Sequence, residues 1–227
     1  MTPDSIPICR WKSTPGSFDV LNMFYRPPLT PAGFPRLQRQ AVETPKQLLQ
    51  YKDWKQYQPG DAIHFFIDDY RFEHLWTAPR KYASRLEGKV TLTPDFSLFT
   101  DYPDPVLHWQ VYRSRWLGAY WQTIGATVIP TVSWAGPESF GYCFEGVEQG
   151  STVALSTNGC AGSSREFSAG VDTLIEQVDP ELILCYGSFR HVYIGRSEIP
   201  QVVNYPHHFG TFRGGAALHA PLTSYIY

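Results

Sequence analysis

The chain has few of the residues that mark a disulfide, metal or membrane protein. Among 227 residues there are four cysteines, Cys9, Cys143, Cys160 and Cys185, and no two are spaced as C-x-x-C. This spacing excludes the usual disulfide and zinc frameworks and leaves free thiols as the expectation. The seven histidines include no H-x-x-x-H pair and no H-E-x-x-H, so the common zinc-hydrolase signatures are missing as well. No stretch of about 18 apolar residues occurs, and no charged-then-apolar leader opens the chain, which together predict a cytoplasmic protein with no membrane association. Strong charge of either sign is also lacking. With 19 Lys and Arg against 21 Asp and Glu, the formal charge is −2, which makes a non-specific nucleic-acid binder an unfavoured reading.

What the chain does have is enough apolar material for one well-buried domain: 43% hydrophobic and 18% charged residues over this length. Disorder is excluded. The first 60 residues hold 9 of the 19 prolines and carry 8 basic against 4 acidic side chains, while the other 167 carry 11 against 17. Residues 1–60 are therefore expected to form a proline-rich N-terminal arm packed on a single α/β domain spanning 61–227. Anchors such as Trp11, Phe18, Leu21 and Phe24 favour an arm that folds onto the body over a solvated tail.

From residue 60 onward, short apolar runs alternate with helix-like stretches, the pattern of βα units. Strands are expected at 62–67, 89–92, 127–133, 152–156 and 182–186, with a weaker one at 191–194. Pro130 removes a ladder donor and implies a bulge or an edge. Pro79 breaks the helix-like stretch between the first two strands. A long helix is expected from Asp104 to about Ile124, capped by Asp104 and stopped by Gly125, with Trp109, Tyr112, Trp116, Tyr120 and Ile124 forming a stripe against a sheet. A second helix follows Ser163, with Glu166 at capping-box spacing. The expected fold is α/β, a mostly parallel sheet of about five to six strands with βα crossovers, either open or a partial barrel.

In either architecture a ligand sits at the carboxyl ends of the strands. Those ends carry Asp68 and Asp69, Asp95, Trp134 and Glu138, Asn158 and Cys160, and Tyr186 and Ser188, with Asp101 and Asp104 nearby. Asp68, Asp69, Asp95 and Glu138 are the candidate catalytic residues. Carboxylates on one rim can divide acid and base roles or hold a hard cation, for which Mg²⁺ is the candidate; solvated turns and helix caps explain the same residues. The loop Asn158, Gly159, Gly162, Ser163, Ser164, Arg165 is the candidate anion site, because free backbone N–H groups, a helix N-terminus and a guanidinium converge on a strand-to-helix turn. A plain capped turn is the competing reading. Only four residues separate Cys160 from Arg165, one too few for the C-x-x-x-x-x-R phosphatase loop, and the Walker, G-x-G-x-x-G and G-x-S-x-G patterns are absent.

One ordered set of segments is more specific than any single motif. It comprises Asp101-Tyr102-Pro103, Trp109, Tyr112-Arg113-Ser114-Arg115, Gly118-Ala119-Tyr120, Val128 through Trp134, Ser139-Phe140 and Cys143 through Gly146. Gly150-Ser151, Val153 through Thr157, Pro180-Glu181 and Cys185-Tyr186-Gly187 continue it. With these the chain resembles the domain-of-unknown-function family 4417, found in bacteria, phages and plasmids, over about residues 95 to 190. The resemblance implies a phage or mobile-element setting and brings no catalytic residues with it. Two functions follow as expectations: binding or hydrolysis of a phosphorylated small molecule or nucleotide at the strand ends, or a non-catalytic accessory protein that binds a host protein.

Overall fold

The computed structural model describes residues 19–158, 164–190, 192–195 and 199–207. Its strands are β1 (Leu48–Gln50), β2 (Ala62–His64), β3 (Val90–Leu92), β4 (Thr127–Ile129), β5 (Thr152–Ser156), β6 (Leu182–Tyr186) and β7 (Gln201–Tyr205). All pairings are parallel, in two sheets that follow chain order: β1-β2-β3-β4 and β5-β6-β7. A parallel bridge between Thr131 and Ala154 joins the sheets, with Ala154 N–H donating to the Pro130 carbonyl at 2.8 Å and Val132 N–H to the Ala154 carbonyl at 2.8 Å. Pro130 thus sits at the seam, where its missing N–H interrupts the ladder after Ile129.

The strands are two-faced with period 2. One face sends Leu48, Ala62, Phe66, Leu92, Ile129, Ala154, Leu182, Leu184, Tyr186 and Tyr205 into a single central cluster. The other face sends Ile63, Phe65 and Val128 toward one outer core, and Val153, Leu155, Ile183 and Cys185 toward another. Seven strands laid flat at about 4.8 Å spacing would separate the outer two by roughly 29 Å. Instead the Tyr205 hydroxyl donates to the Pro45 carbonyl, three residues before β1, at 2.7 Å. The array therefore curls toward a barrel, and no ladder closes β7 onto β1 among the described residues.

Crossover segments cover the outer faces. Between β2 and β3 the chain forms 3₁₀ turns at Asp69–Arg71 and Ala83–Arg85 around the short helices α1 (Glu73–Thr77) and α2 (Pro79–Tyr82). Pro79 opens α2 at its first turn, where proline loses no helical bond. Helix α3 (Asp104–Thr123) joins β3 to β4, and Gly125 at φ +83° supplies the left-handed residue after its end. Helix α4 (Ser164–Val178) joins β5 to β6 and lays Phe167, Val171, Leu174, Ile175 and Val178 on the second sheet.

Several expectations change. Residues 48–50, inside the stretch expected as an arm, form β1 and pair in register with β2. The strand expected at 191–194 is replaced by β7 at Gln201–Tyr205; His191 lies outside the described residues. Strand β2 stops at His64 and β4 at Ile129, short of the expected ends. Asp104 does not cap α3: Pro103 holds the cap position, and the Asp104 carboxylate accepts instead from the Tyr142 hydroxyl at 3.1 Å. The aromatic stripe of α3 packs away from the sheet. Trp116 meets Trp76 of α1 and Phe24 edge-on at 5.5 and 5.6 Å, while Trp121 stacks on Phe65 of the sheet side at 5.6 Å. Every residue from Arg113 to Trp121 is buried, so this half of α3 is enclosed all round and carries buried polar groups where an amphipathic stripe was expected.

Candidate active site

Those polar groups of α3 fix the upper ends of β3 and β4. Ser114 reaches the Pro94 carbonyl at 2.8 Å and the Thr93 hydroxyl at 3.2 Å. Thr131 N–H donates to the Thr93 hydroxyl at 2.8 Å, and the Thr131 hydroxyl donates to the Thr93 carbonyl at 2.6 Å. The Arg115 guanidinium, buried beneath, donates to the carbonyls of Thr131 (2.9 Å), Cys143 (2.8 Å) and Glu145 (3.0 Å). Two residues beyond the locked Thr93–Thr131 pair come Asp95 and Ser133, which line the same cleft.

Asp95 and Ser133 line a cleft of about 870 Å³ at the carboxyl ends of the strands. Gln50 and Lys52 enter it from the end of β1, Phe66 through Asp68 from β2, Ser97 and Phe99 from β3, Trp134 through Gly136 from β4, Ser156 and Asn158 from β5, and Glu166 and Phe167 from the first turns of α4. Another cavity, of about 700 Å³, lies among Leu37, Gln122, Glu148 and Gln177 near the last turns of α3 and α4. The upper cleft holds the half-buried Asp95 carboxyl: desolvation is the main cause that pushes it up to about 7, Ser133 opposes the rise, and the nearby Asp69 charge adds to it. A carboxyl poised there exchanges its proton near neutral pH, as a general acid or base requires.

The sequence-predicted residues fall in different places. Asp68 lines the cleft but is largely exposed and ion-paired with the exposed Arg71 at 3.0 Å, a pair that contributes little to stability. Asp69 turns away from the cleft lining and accepts the backbone N–H and hydroxyl of Ser97, both at 3.0 Å. Glu138 is exposed and outside the lining. Trp134 contributes to the wall while packing on Phe167 at 5.1 Å. Tyr186 is buried under the cleft between Phe66 and His64, and Ser188 is exposed. Asn158 lines the cleft and Arg165 is exposed; Gly159, Cys160, Gly162 and Ser163 lie outside the described residues, as does the side chain of Ser164. Among the described residues no three His, Cys, Asp or Glu side chains gather to hold a metal ion, because Asp68 and Asp69 are engaged by Arg71 and Ser97 and Glu138 stands apart. That geometry does not suit the Mg²⁺ site considered from sequence.

Sequence reasoning missed Gln50, Lys52, Ser97, Ser133 and Glu166. Gln50 ends a strand too short to show apolar alternation, and Lys52 lies in the 3₁₀ turn Tyr51–Gln56 that follows it. Ser133 was readable only as a strand residue. Cys143 and Cys185 are buried free thiols, and burial pushes Cys143 up to about 12, far from a thiolate nucleophile.

The fold and this cleft define a parallel α/β protein with a polar site at the strand ends. The chain belongs to the family described as Domain of unknown function (DUF4417), whose model matches residues 27–206. It is 41% identical over 209 residues to the Gene 1 protein of Mycobacterium phage L5, covering 86% of this chain and 88% of that relative. It is 39% identical over 209 residues to the Gene 1 protein of Mycobacterium phage D29, covering 86% of this chain and 75% of the relative. No solved structure matches, and no helix among the described residues is long and apolar enough to cross a membrane.

Proposed function

We propose that the upper cleft binds a phosphorylated small molecule or nucleotide in the cytoplasm of a phage-infected bacterium, and that Asp95 moves a proton to or from it. The observation that carries this reading is the placement of Asp95, Ser133 and Lys52 on one cleft, above the Thr93–Thr131 lock. Lys52 and Arg71 supply positive charge for phosphate oxygens, and Phe66, Phe99 and Trp134 supply ring surface for a base or sugar. Asn158 and Glu166 contribute polar contacts on the opposite strand ends. The volume is of the size that small-ligand sites use. In hydrolysis Asp95 takes the proton of an attacking water when ionised, or gives one to the leaving oxygen when protonated.

A thermal-shift titration with nucleotides and sugar phosphates tests the reading. A ligand at 100 times its Kd adds about 2.7 kcal/mol, and a domain of this size then melts roughly 5–11 °C higher. Lys52→Gln should abolish the shift, whereas Asp95→Asn should retain binding and abolish turnover. The second reading, binding of a host protein, is favoured by Tyr70 and Phe99, which are 72% and 54% exposed, with Phe99 in the cleft wall. No thermal shift with any phosphorylated ligand, together with loss of a captured host protein in Phe99→Ala, would replace the first reading by the second.

A further inference from the structure

The outer flank of the β1–β2 and β2–β3 crossovers carries a different chemistry, independent of the cleft. The 3₁₀ turn Tyr51–Gln56 places Lys52 on the cleft and Trp54 on this flank. There the Arg85 guanidinium lies 4.4 Å from the Tyr82 ring centre and 5.5 Å from that of Trp54. Lys81 stands 5.3 Å from Tyr82, and Lys89 stands 6.0 Å from Trp54 and 5.8 Å from Tyr57. Three cations and three rings thus run in one continuous alternation. Residues 80–89 carry four cations against a single carboxylate, Glu87. Among the described residues none of Lys81, Arg85 and Lys89 is in an ion pair. The overall charge of −2 hides this local excess.

Arg85 is also pre-oriented. One of its terminal nitrogens donates to the Tyr51 hydroxyl at 2.8 Å, and that hydroxyl lies 2.9 Å from His74 Nε2, so the guanidinium plane is held without a carboxylate. The same positive neighbours, after burial itself, depress the His74 pKa, which marks a locally positive field.

We propose that the strip of Lys81, Arg85 and Lys89 over Tyr82, Trp54 and Tyr57 binds the sugar-phosphate backbone of single-stranded nucleic acid. Cations that lack acidic partners meet repeated phosphates, and the alternation of cation and half-buried ring matches the alternation of phosphate and base along a strand. An acidic peptide offers charge without rings to pair with the aromatic edges. The rigid duplex offers its phosphates but stacks its bases on each other.

The test is fluorescence anisotropy of the full chain with a labelled thymidine oligonucleotide of about 20 nucleotides. Three neutralised phosphates give a log–log salt slope of about −2, so affinity should fall roughly twentyfold between about 50 and 200 mM salt. The double variant Lys81→Glu/Lys89→Glu should bring the slope below about 1 in magnitude. Lys81→Gln/Lys89→Gln serves the same purpose if charge reversal impairs folding. Absence of binding at the lower salt overturns the proposal. So does an unchanged slope in the folded double variant, which would move the contact to other basic residues. Equal affinity for polyglutamate overturns it in favour of an acidic protein partner.

Discussion

Asp69 holds Ser97 with both carboxylate oxygens: Oδ2 accepts the Ser97 backbone N–H and Oδ1 the Ser97 hydroxyl, each at 3.0 Å. This clamp fixes the loop that leaves Asp95 and forms one wall of the cleft, while its charge also raises the Asp95 pKa. Asp69→Asn keeps one acceptor and removes the charge, so the Asp95 titration should move below about 7 toward the ordinary carboxylate range. Carboxyl-carbon NMR of the two proteins checks the direction. Asp69→Ala removes both hydrogen bonds and should cost about 1–3 kcal/mol in urea unfolding.

The raised Asp95 pKa makes stability depend on pH in a defined sense. The unfolded group titrates near 3.8 and the folded one near 7. Below 3.8 both states carry the proton and Asp95 imposes no penalty. As pH rises toward 7 the unfolded chain releases its proton while the folded one retains it, so stability falls through this window and levels off above it. Asp95→Asn should therefore unfold at higher urea concentration than the parent at pH 8, by on the order of 2–4 kcal/mol, with the gap closing near pH 4. A gap of equal size at both pH values would show that Asp95 is ionised in the fold.

Arg115 is predicted to be a structural residue of the first importance. Its guanidinium satisfies three buried carbonyls, on Thr131, Cys143 and Glu145, which belong to the segment from β4 through the 3₁₀ turn Pro137–Gly141 and beyond. Burial lowers its pKa to about 10, so it remains charged in the physiological range. Arg115→Met fills most of the volume but orphans three acceptors and should destabilise the fold by about 3–5 kcal/mol. Equilibrium unfolding in urea measures it.

The parallel sheet was legible because strands at 152–156 and 182–186 are apolar runs bounded by turns, and their observed limits are the expected ones. Strand β1 was hidden: Leu48–Gln50 is too short to show alternation, and its stretch is dominated by prolines and charges. Strand β7 was not located at Gln201–Tyr205, since Val192 and Ile194 offered a competing apolar run just before it. The position of the cleft at the strand ends followed from strand polarity alone, but the partners of each carboxylate did not. Ser97 and Ser133 face Asp69 and Asp95 only because Thr93 and Thr131 are locked beneath them, a pairing between residues 38 apart in the chain. Arg113 and Arg115 lie in the aromatic helix, and their burial had no sign in the sequence.

Gly118 tests whether that lock depends on close approach of helix to sheet. It sits in the interior of α3, where replacing glycine by alanine ordinarily stabilises by about 0.5–1 kcal/mol. A Cβ at this position would lie 2.6 Å from Thr93 Cγ2, 2.8 Å from Leu37 Cδ2 and 3.3 Å from Val128 Cγ1. Thr93 cannot retreat freely, because its hydroxyl accepts from Thr131 N–H and its carbonyl from the Thr131 hydroxyl. Overpacking should therefore outweigh helix propensity, and Gly118→Ala should destabilise by about 1–3 kcal/mol. Displacing Thr93 also displaces Asp95 two residues on, so the same variant should shift the Asp95 titration, whereas Gly125→Ala, strained by its φ of +83° but away from this contact, should lower stability without moving it. A rise in the urea midpoint of Gly118→Ala would show that α3 can lift from the sheet at no cost, and that the site does not depend on the helix lying this close.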